Sequence, residues 1–187
     1  LYRAGQSLYH LRYYTQAIET WRKLKERYPQ SKETVQAVFQ TADTLFRQQK
    51  YVEAVSAYKD IVSLYPQSPK LSFAMMRVAQ SYFNAKDDPS TLSEAAALIA
   101  RFPDSPETTD ALELMESVFD RSKTADFRSV LGSVVKANLL GKVAGDAQFR
   151  LARRCYESKD FPGAAKEFQR FSVDFTNHPE LSKAQFY

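Results

Sequence analysis

The sequence predicts an all-α solenoid, a stack of antiparallel helix hairpins, and three observations carry that reading. The first is the stretch 51–70, where Val55, Tyr58, Ile61, Val62 and Tyr65 recur at three- and four-residue steps and so share one helix face. Pro66 ends that helix, because it has no amide hydrogen and clashes with the preceding turn. Ser68-Pro69 then starts another, with a capping hydroxyl and a proline pre-set for the first turn. The second is that this punctuation stands 37 residues earlier in Tyr28-Pro29-Gln30-Ser31 and 37 residues later in Phe102-Pro103-Asp104-Ser105-Pro106. The third is a column of alanines, Ala37, Ala74, Ala111, Ala147 and Ala184, at spacings of 37, 37, 36 and 37. Two residues after each stand Phe39, Met76, Glu113, Phe149 and Phe186. A fixed period of this length is the signature of a repeat architecture.

Composition agrees. The 187 residues are 44% hydrophobic and 26% charged, with 5 glycines and 8 prolines, an ordinary folded composition with prolines set at boundaries. The net charge of +4 is too small to imply nucleic-acid binding without a clustered patch. Cys155 is the single cysteine, so no internal disulfide can form. No apolar run approaches the 18 or so residues that a membrane span needs. The chain opens and stops in what reads as mid-helix, and it is expected to be a piece of a longer protein.

Units are expected at about 1–30, 31–67, 68–104, 105–141, 142–177 and, in part, 178–187. In the first, helices over about 1–11 and 15–28 flank a turn at Arg12-Tyr13-Tyr14, short enough to force an antiparallel hairpin. Gly5 and Ala17 let the two helices approach, and Trp21 and Leu24 fill the space beyond. The second unit repeats this with Ala42, Ala54, Tyr58 and Ile61. The third offers Ala79, Tyr82 and Leu98, but Ala95-Ala96-Ala97 stands where a bulkier aromatic is expected. The fourth is degenerate. Glu116 takes the small slot, Arg128 the alanine slot, and Leu140-Gly141 replaces the proline junction. Helices are still expected over 107–121 and 125–138, with Gly132 inside the second at a cost of about 1 kcal/mol relative to alanine. The fifth restores the pattern with Ala152, Cys155, Ala164, Phe168 and Phe171. Its junction, Phe175-Thr-Asn-His178-Pro179, replaces the helix-stopping proline with Thr176.

A small residue, an aromatic or leucine one turn on, an alanine and an aromatic in the second helix, and a closing proline together resemble the tetratricopeptide repeat, over essentially the whole chain. The resemblance implies a right-handed superhelix whose function is protein or peptide recognition. The unit of 37 residues, longer than the usual 34, with Tyr-Pro-Gln-Ser-Pro junctions and Ala-x-Phe helix starts, is similar to two bacterial envelope families. These are the outer-membrane assembly lipoproteins and the periplasmic TolA-binding coordinators. That likeness implies a periplasmic or outer-membrane-associated protein.

In such stacks the first helix of each hairpin lines a concave groove. Equivalent faces give an aromatic column of Tyr9, Phe46, Phe83 and Tyr156, broken by Asp120. A second column holds Tyr2, Phe39, Met76, Phe149 and Phe186. Beside them Arg3, Gln40, Arg77, Leu114 and Arg150, with Arg47 and Arg153 nearby, form a largely basic column. Aromatic and arginine side chains are enriched at protein interfaces. The candidate groove is therefore Tyr9, Phe46, Arg47, Arg77, Phe83, Arg150, Arg153 and Tyr156. The competing reading packs the aromatics between units and leaves the arginines exposed or paired within the repeat, and for the Phe39 column and for Arg77, Arg150 and Arg153 that reading is favoured. Chaperone-binding relatives hold a C-terminal carboxylate at slots that here carry Tyr2, Gln6, Gln40, Phe73 and Arg77. Only Arg77 could serve, so that clamp is not expected.

No enzymatic constellation emerges. His10 and His178 lie on distant helices, no histidine pair has metal-ligand spacing, Cys155 faces the partner helix as a buried thiol, and Gly141-Lys142 lacks the rest of a phosphate loop. The expectation is a protein–protein interaction scaffold with no cofactor, no metal, no small-molecule substrate and no chemistry of its own. Two alternatives stand: a recruiting arm of a larger enzyme, and a module binding an envelope polymer or nucleic acid. Self-association through the apolar ends, at Tyr2 and Phe186, is a further expectation.

Overall fold

The computed structural model describes residues 1–122, 126–138 and 141–184. Phe186 of the second column lies outside them. The described residues form α1 (Tyr2–His10), α2 (Tyr14–Arg27), α3 (Lys32–Arg47), α4 (Tyr51–Leu64), α5 (Leu71–Asn84), α6 (Asp88–Arg101), α7 (Glu107–Arg121), α8 (Phe127–Asn138), α9 (Lys142–Glu157), α10 (Phe161–Asp174) and α11 (Leu181–Ala184). No strand occurs among the described residues. The chain divides into two compact units, Leu1–Thr91 and Leu92–Tyr187.

Four of the hairpin turns, α1–α2, α3–α4, α5–α6 and α9–α10, are built alike. Arg12, Gln49, Lys86 and Lys159 all have positive φ, between 60° and 65°. In each case the next amide reaches back five residues: Tyr13 to the Leu8 carbonyl, Lys50 to Leu45, Asp87 to Tyr82 and Asp160 to Cys155, at 2.9–3.0 Å. This is the Schellman closure of a helix C-terminus, which usually places glycine at the left-handed position. Here long polar residues hold it instead. The turn, not glycine, sets the antiparallel reversal.

The junctions between hairpins repeat as well. Tyr28, Tyr65 and Phe175 end their helices with φ between −138° and −125° and ψ between 52° and 59°, outside the helical region that a following proline disfavours after Tyr28 and Tyr65. The amide three residues on returns to the carbonyl of Tyr28, Tyr65, Phe102 or Phe175 at 2.9–3.1 Å. The fifth junction keeps this geometry with Thr176 in place of proline. Ser31 caps α3 as its sequence suggests, accepting the Thr34 amide at 3.2 Å. Ser68 does not cap a helix directly. It accepts the Lys70 amide at 3.3 Å, and α5 begins at Leu71 with no side-chain cap.

In the first unit, Gly5 lies directly against Trp21: a Cβ there would stand 2.2 Å from Trp21 Nε1. Trp21 is 1% exposed, and its indole N–H donates to the Tyr2 carbonyl at 3.3 Å. Ala17, Leu24 and Ala37 complete this cluster, and Val38, Phe39, Ala42, Ala54, Tyr58, Ile61, Ala74 and Val78 form the next. In the second unit, Ala111, Leu112, Met115, Leu131, Ala147, Ala152, Cys155 and Phe171 are wholly buried. Gly145 plays the part of Gly5 there, with His178 Cδ2 2.6 Å from where its Cβ would be.

Candidate functional site

The aromatic column divides between the units, and Tyr9, Phe46 and Tyr156 each have a local partner. Tyr9 packs edge-on against Tyr14 at 5.3 Å, Phe46 against Tyr51 at 5.4 Å, and Tyr156 against Phe161 at 5.5 Å between ring centroids. The partner is always five residues on, across the Schellman turn. It is the first residue of the next helix, so these rings brace the hairpin tip. Phe83, whose fifth following residue is Asp88, is half-buried. Phe39, Met76 and Phe149 of the second column are 7%, 4% and 8% exposed, so those three are core. Tyr2 is half-buried.

The arginines are placed as follows. Arg77 is gripped within the first unit: its guanidinium stacks 4.1 Å from the Phe46 ring centroid, donates from Nε to the Tyr58 hydroxyl at 3.2 Å, and lies 3.5 Å from Asp43. The buried Tyr58 hydroxyl in turn donates to Asp43. Burial, then the Asp43 carboxylate, pushes the Tyr58 phenol above its usual range. Arg47 is exposed and reaches the Tyr9 hydroxyl at 3.4 Å. Arg153 pairs in the second unit with Glu116 at 3.4 Å and Glu157 at 3.3 Å. Arg150 is half-buried and has no ion pair among the described residues.

Two features escaped the sequence reading. In the second unit Arg154 answers Glu116 more closely than Arg153 does. Its guanidinium meets the Glu116 carboxylate at 2.5 Å, the Glu116 carbonyl at 3.1 Å and Asp120 at 2.6 Å. Glu116 is only 7% exposed, so the misfit in the small slot is matched by a charge one repeat downstream. The pair lies 38 residues apart, close to the repeat period. That spacing is the signal that could have found it. Arg128, in the alanine slot, turns outward to Asp160, whose carboxyl is held below its usual range by the Gly163 amide and then by Arg128. Cys155 is wholly buried, and burial pushes its thiol up, the opposite of an activated nucleophile.

The second feature is an open cavity of about 1020 Å³ in the first unit. Val35, Phe39, Leu64, Tyr65 and Phe73 supply apolar surface. Gln36, Gln40 and Asp43 follow α3 along one side, and Lys32 and Lys70 stand on the rim. Phe73 is 38% exposed, although its ring lies 6.4 Å from Phe39. Three of the clamp slots, Tyr2, Gln40 and Phe73, line this cavity, with side chains that cannot act as the clamp does. Of the candidate groove residues, none lines it; Arg77 is behind the wall, fixing Asp43 and standing 5.7 Å from the Phe73 ring centroid.

An all-helical stack of hairpins carrying an open apolar cavity and no cluster of metal-binding side chains among the described residues defines a helical-repeat protein of the interaction class. The chain belongs to the YfiO family of outer membrane lipoproteins, whose family model matches residues 1–129. Comparison with individually curated proteins gives no match. The family sets the protein among periplasmic or outer-membrane-associated proteins of the interaction class. No described helix is long and apolar enough to cross a membrane.

Proposed function

We propose that the chain is a protein-interaction scaffold without chemistry of its own, and that the cavity of the first unit takes an extended, apolar segment of a partner protein. The observation that carries this is Phe73: a large apolar ring left 38% exposed inside a concave surface, beside Val35 and Phe39. Burying such a ring in a partner contact is worth roughly 1–2 kcal/mol, the scale of an interface anchor. Bracing sits behind it, since Arg77, Asp43 and Tyr58 lock the wall before any partner arrives, and a preformed wall lowers the ordering cost of binding. Tyr9, Phe46, Phe83 and Tyr156 serve the hairpins in this reading, and Arg47 and Arg150 remain available to a partner's acidic groups.

The test is site-specific photo-crosslinking in cells, with the probe at Phe73 or Val35 and, as controls, at Val52 and Val173, both strongly exposed but outside the cavity. A cavity that receives a partner gives one discrete adduct from Phe73 and Val35. Equal labelling from all four positions overturns the reading.

A further inference from the structure

The charge on the chain is unevenly divided. Residues 1–91 contain 13 Lys and Arg against 8 Asp and Glu, a net +5, while residues 92–187 contain 13 against 14, a net −1. The cavity follows the same bias. Asp43 is the only carboxylate among the residues that line it, and it is already held by Arg77 and Tyr58. Neither Lys32 nor Lys70 forms a salt bridge among the described residues; Lys32 has the charge of Glu33 beside it, and Lys70 has no carboxylate partner there. Lys70 is positioned: its ammonium stands 5.7 Å from the centroid of Phe39, on the same ring that meets Phe73. An apolar floor and a fixed cation therefore share one site.

From this charge complementarity, and resting on the reading above that the cavity binds a partner segment, we infer that the segment is acidic as well as apolar. An internal Asp or Glu side chain pairs with Lys70 and Lys32 while the neighbouring apolar side chains lie on Phe73 and Val35. The α3 wall fits an extended chain. Gln36 and Gln40 are one helical turn apart, a rise of about 6 Å. An extended strand advances about 6.7 Å every two residues, so the two amides can bond alternate backbone groups of the segment. Its side chains then alternate between the floor and the rim.

Fluorescence anisotropy on the whole chain tests this with three labelled eight-residue apolar peptides: one with an internal Glu and an amidated C-terminus, its Gln analogue, and the Gln analogue with a free C-terminal carboxylate. The expected result is that the Glu peptide binds about fivefold tighter than the amidated Gln peptide at low salt. That preference should vanish at 0.5 M salt and in Lys70→Met. Equal affinity for Glu and Gln peptides, or a preference for the free C-terminus over the internal Glu, overturns the inference while leaving the apolar cavity intact. Phe73→Ala, checked for native helicity, reports on the underlying reading: it should weaken all three peptides alike. If it weakens none, or if no peptide binds, that reading fails with the inference.

Discussion

Gly5→Ala and Gly132→Ala are the same chemical change in two helices, and the structure sets their signs apart. By helix propensity alone each substitution stabilises by about 1 kcal/mol. Gly132 lies inside α8 with nothing within 4 Å of its missing Cβ, so the propensity gain should be realised in full. At Gly5 the new methyl would stand 2.2 Å from Trp21 Nε1, 2.6 Å from Cδ1 and 2.7 Å from Cε2. The indole has no room to yield, being 1% exposed. Overpacking of this kind costs about 1–3 kcal/mol, so Gly5→Ala should be neutral to about 2 kcal/mol destabilising once the propensity gain is taken off. Urea unfolding followed by circular dichroism measures both variants. Trp21, the single tryptophan, reports the first hairpin separately, and its emission should shift in Gly5→Ala. Equal stabilisation by the two substitutions would refute the close helix contact at Gly5, and with it the placement of the first hairpin.

Other perturbations separate packing, charge and backbone. Trp21→Ala should cost about 3–5 kcal/mol as a core deletion, and a near-neutral melting curve would contradict its burial. Arg154→Met should cost up to about 3–5 kcal/mol by leaving the buried Glu116 carboxylate with only the longer Arg153 contact, whereas Arg154→Met with Glu116→Ala should recover most of the loss. A double variant no more stable than the single one would show that the pair is not the cause. Lys86→Gly should stabilise by up to about 1 kcal/mol, because relief of the left-handed conformation outweighs the added freedom of the unfolded chain; a loss in thermal melting would count against the turn geometry. Tyr58 keeps its proton more tightly in the folded state than in the unfolded chain. Its contribution is therefore complete below about pH 10 and declines as pH rises above that, while unfolded chains ionise and the folded one does not. Tyr58→Phe should flatten the alkaline fall of stability by the share of one proton, and an unchanged slope would exclude the buried hydroxyl as its source.

Much of this was written in the sequence. The period of 37, the junctions after Tyr28, Tyr65 and Phe102, and the small residues Gly5, Ala17, Ala42 and Ala54 define helices, their order and the faces that meet within a hairpin. These are local properties: proline stops a helix wherever it stands, and apolar residues at helical spacing share a face in any surroundings. Phe39, Met76 and Phe149 were legible as core for the same reason.

The site was less legible, because it is made by contacts between elements. Periodicity gave Tyr9, Phe46 and Tyr156 a common face, but only the folded turn shows that face occupied by Tyr14, Tyr51 and Phe161. Arg77 stood between a groove cation and a pair within the repeat, and only the structure shows Asp43 and Tyr58, brought close from α3 and α4, closed around it. Phe73 and Lys70, which belong to no conspicuous column, become a floor and a rim because Phe39 of another helix is set between them. Glu116 read as decay of the repeat and proves to be half of a matched pair. The sequence by itself determined the repeated hairpin, since each of its helices and turns depends on residues within a few positions of one another. Which side chains remain exposed for a partner was decided by the tertiary structure, because exposure is what is left after every neighbouring helix has taken its share of the surface.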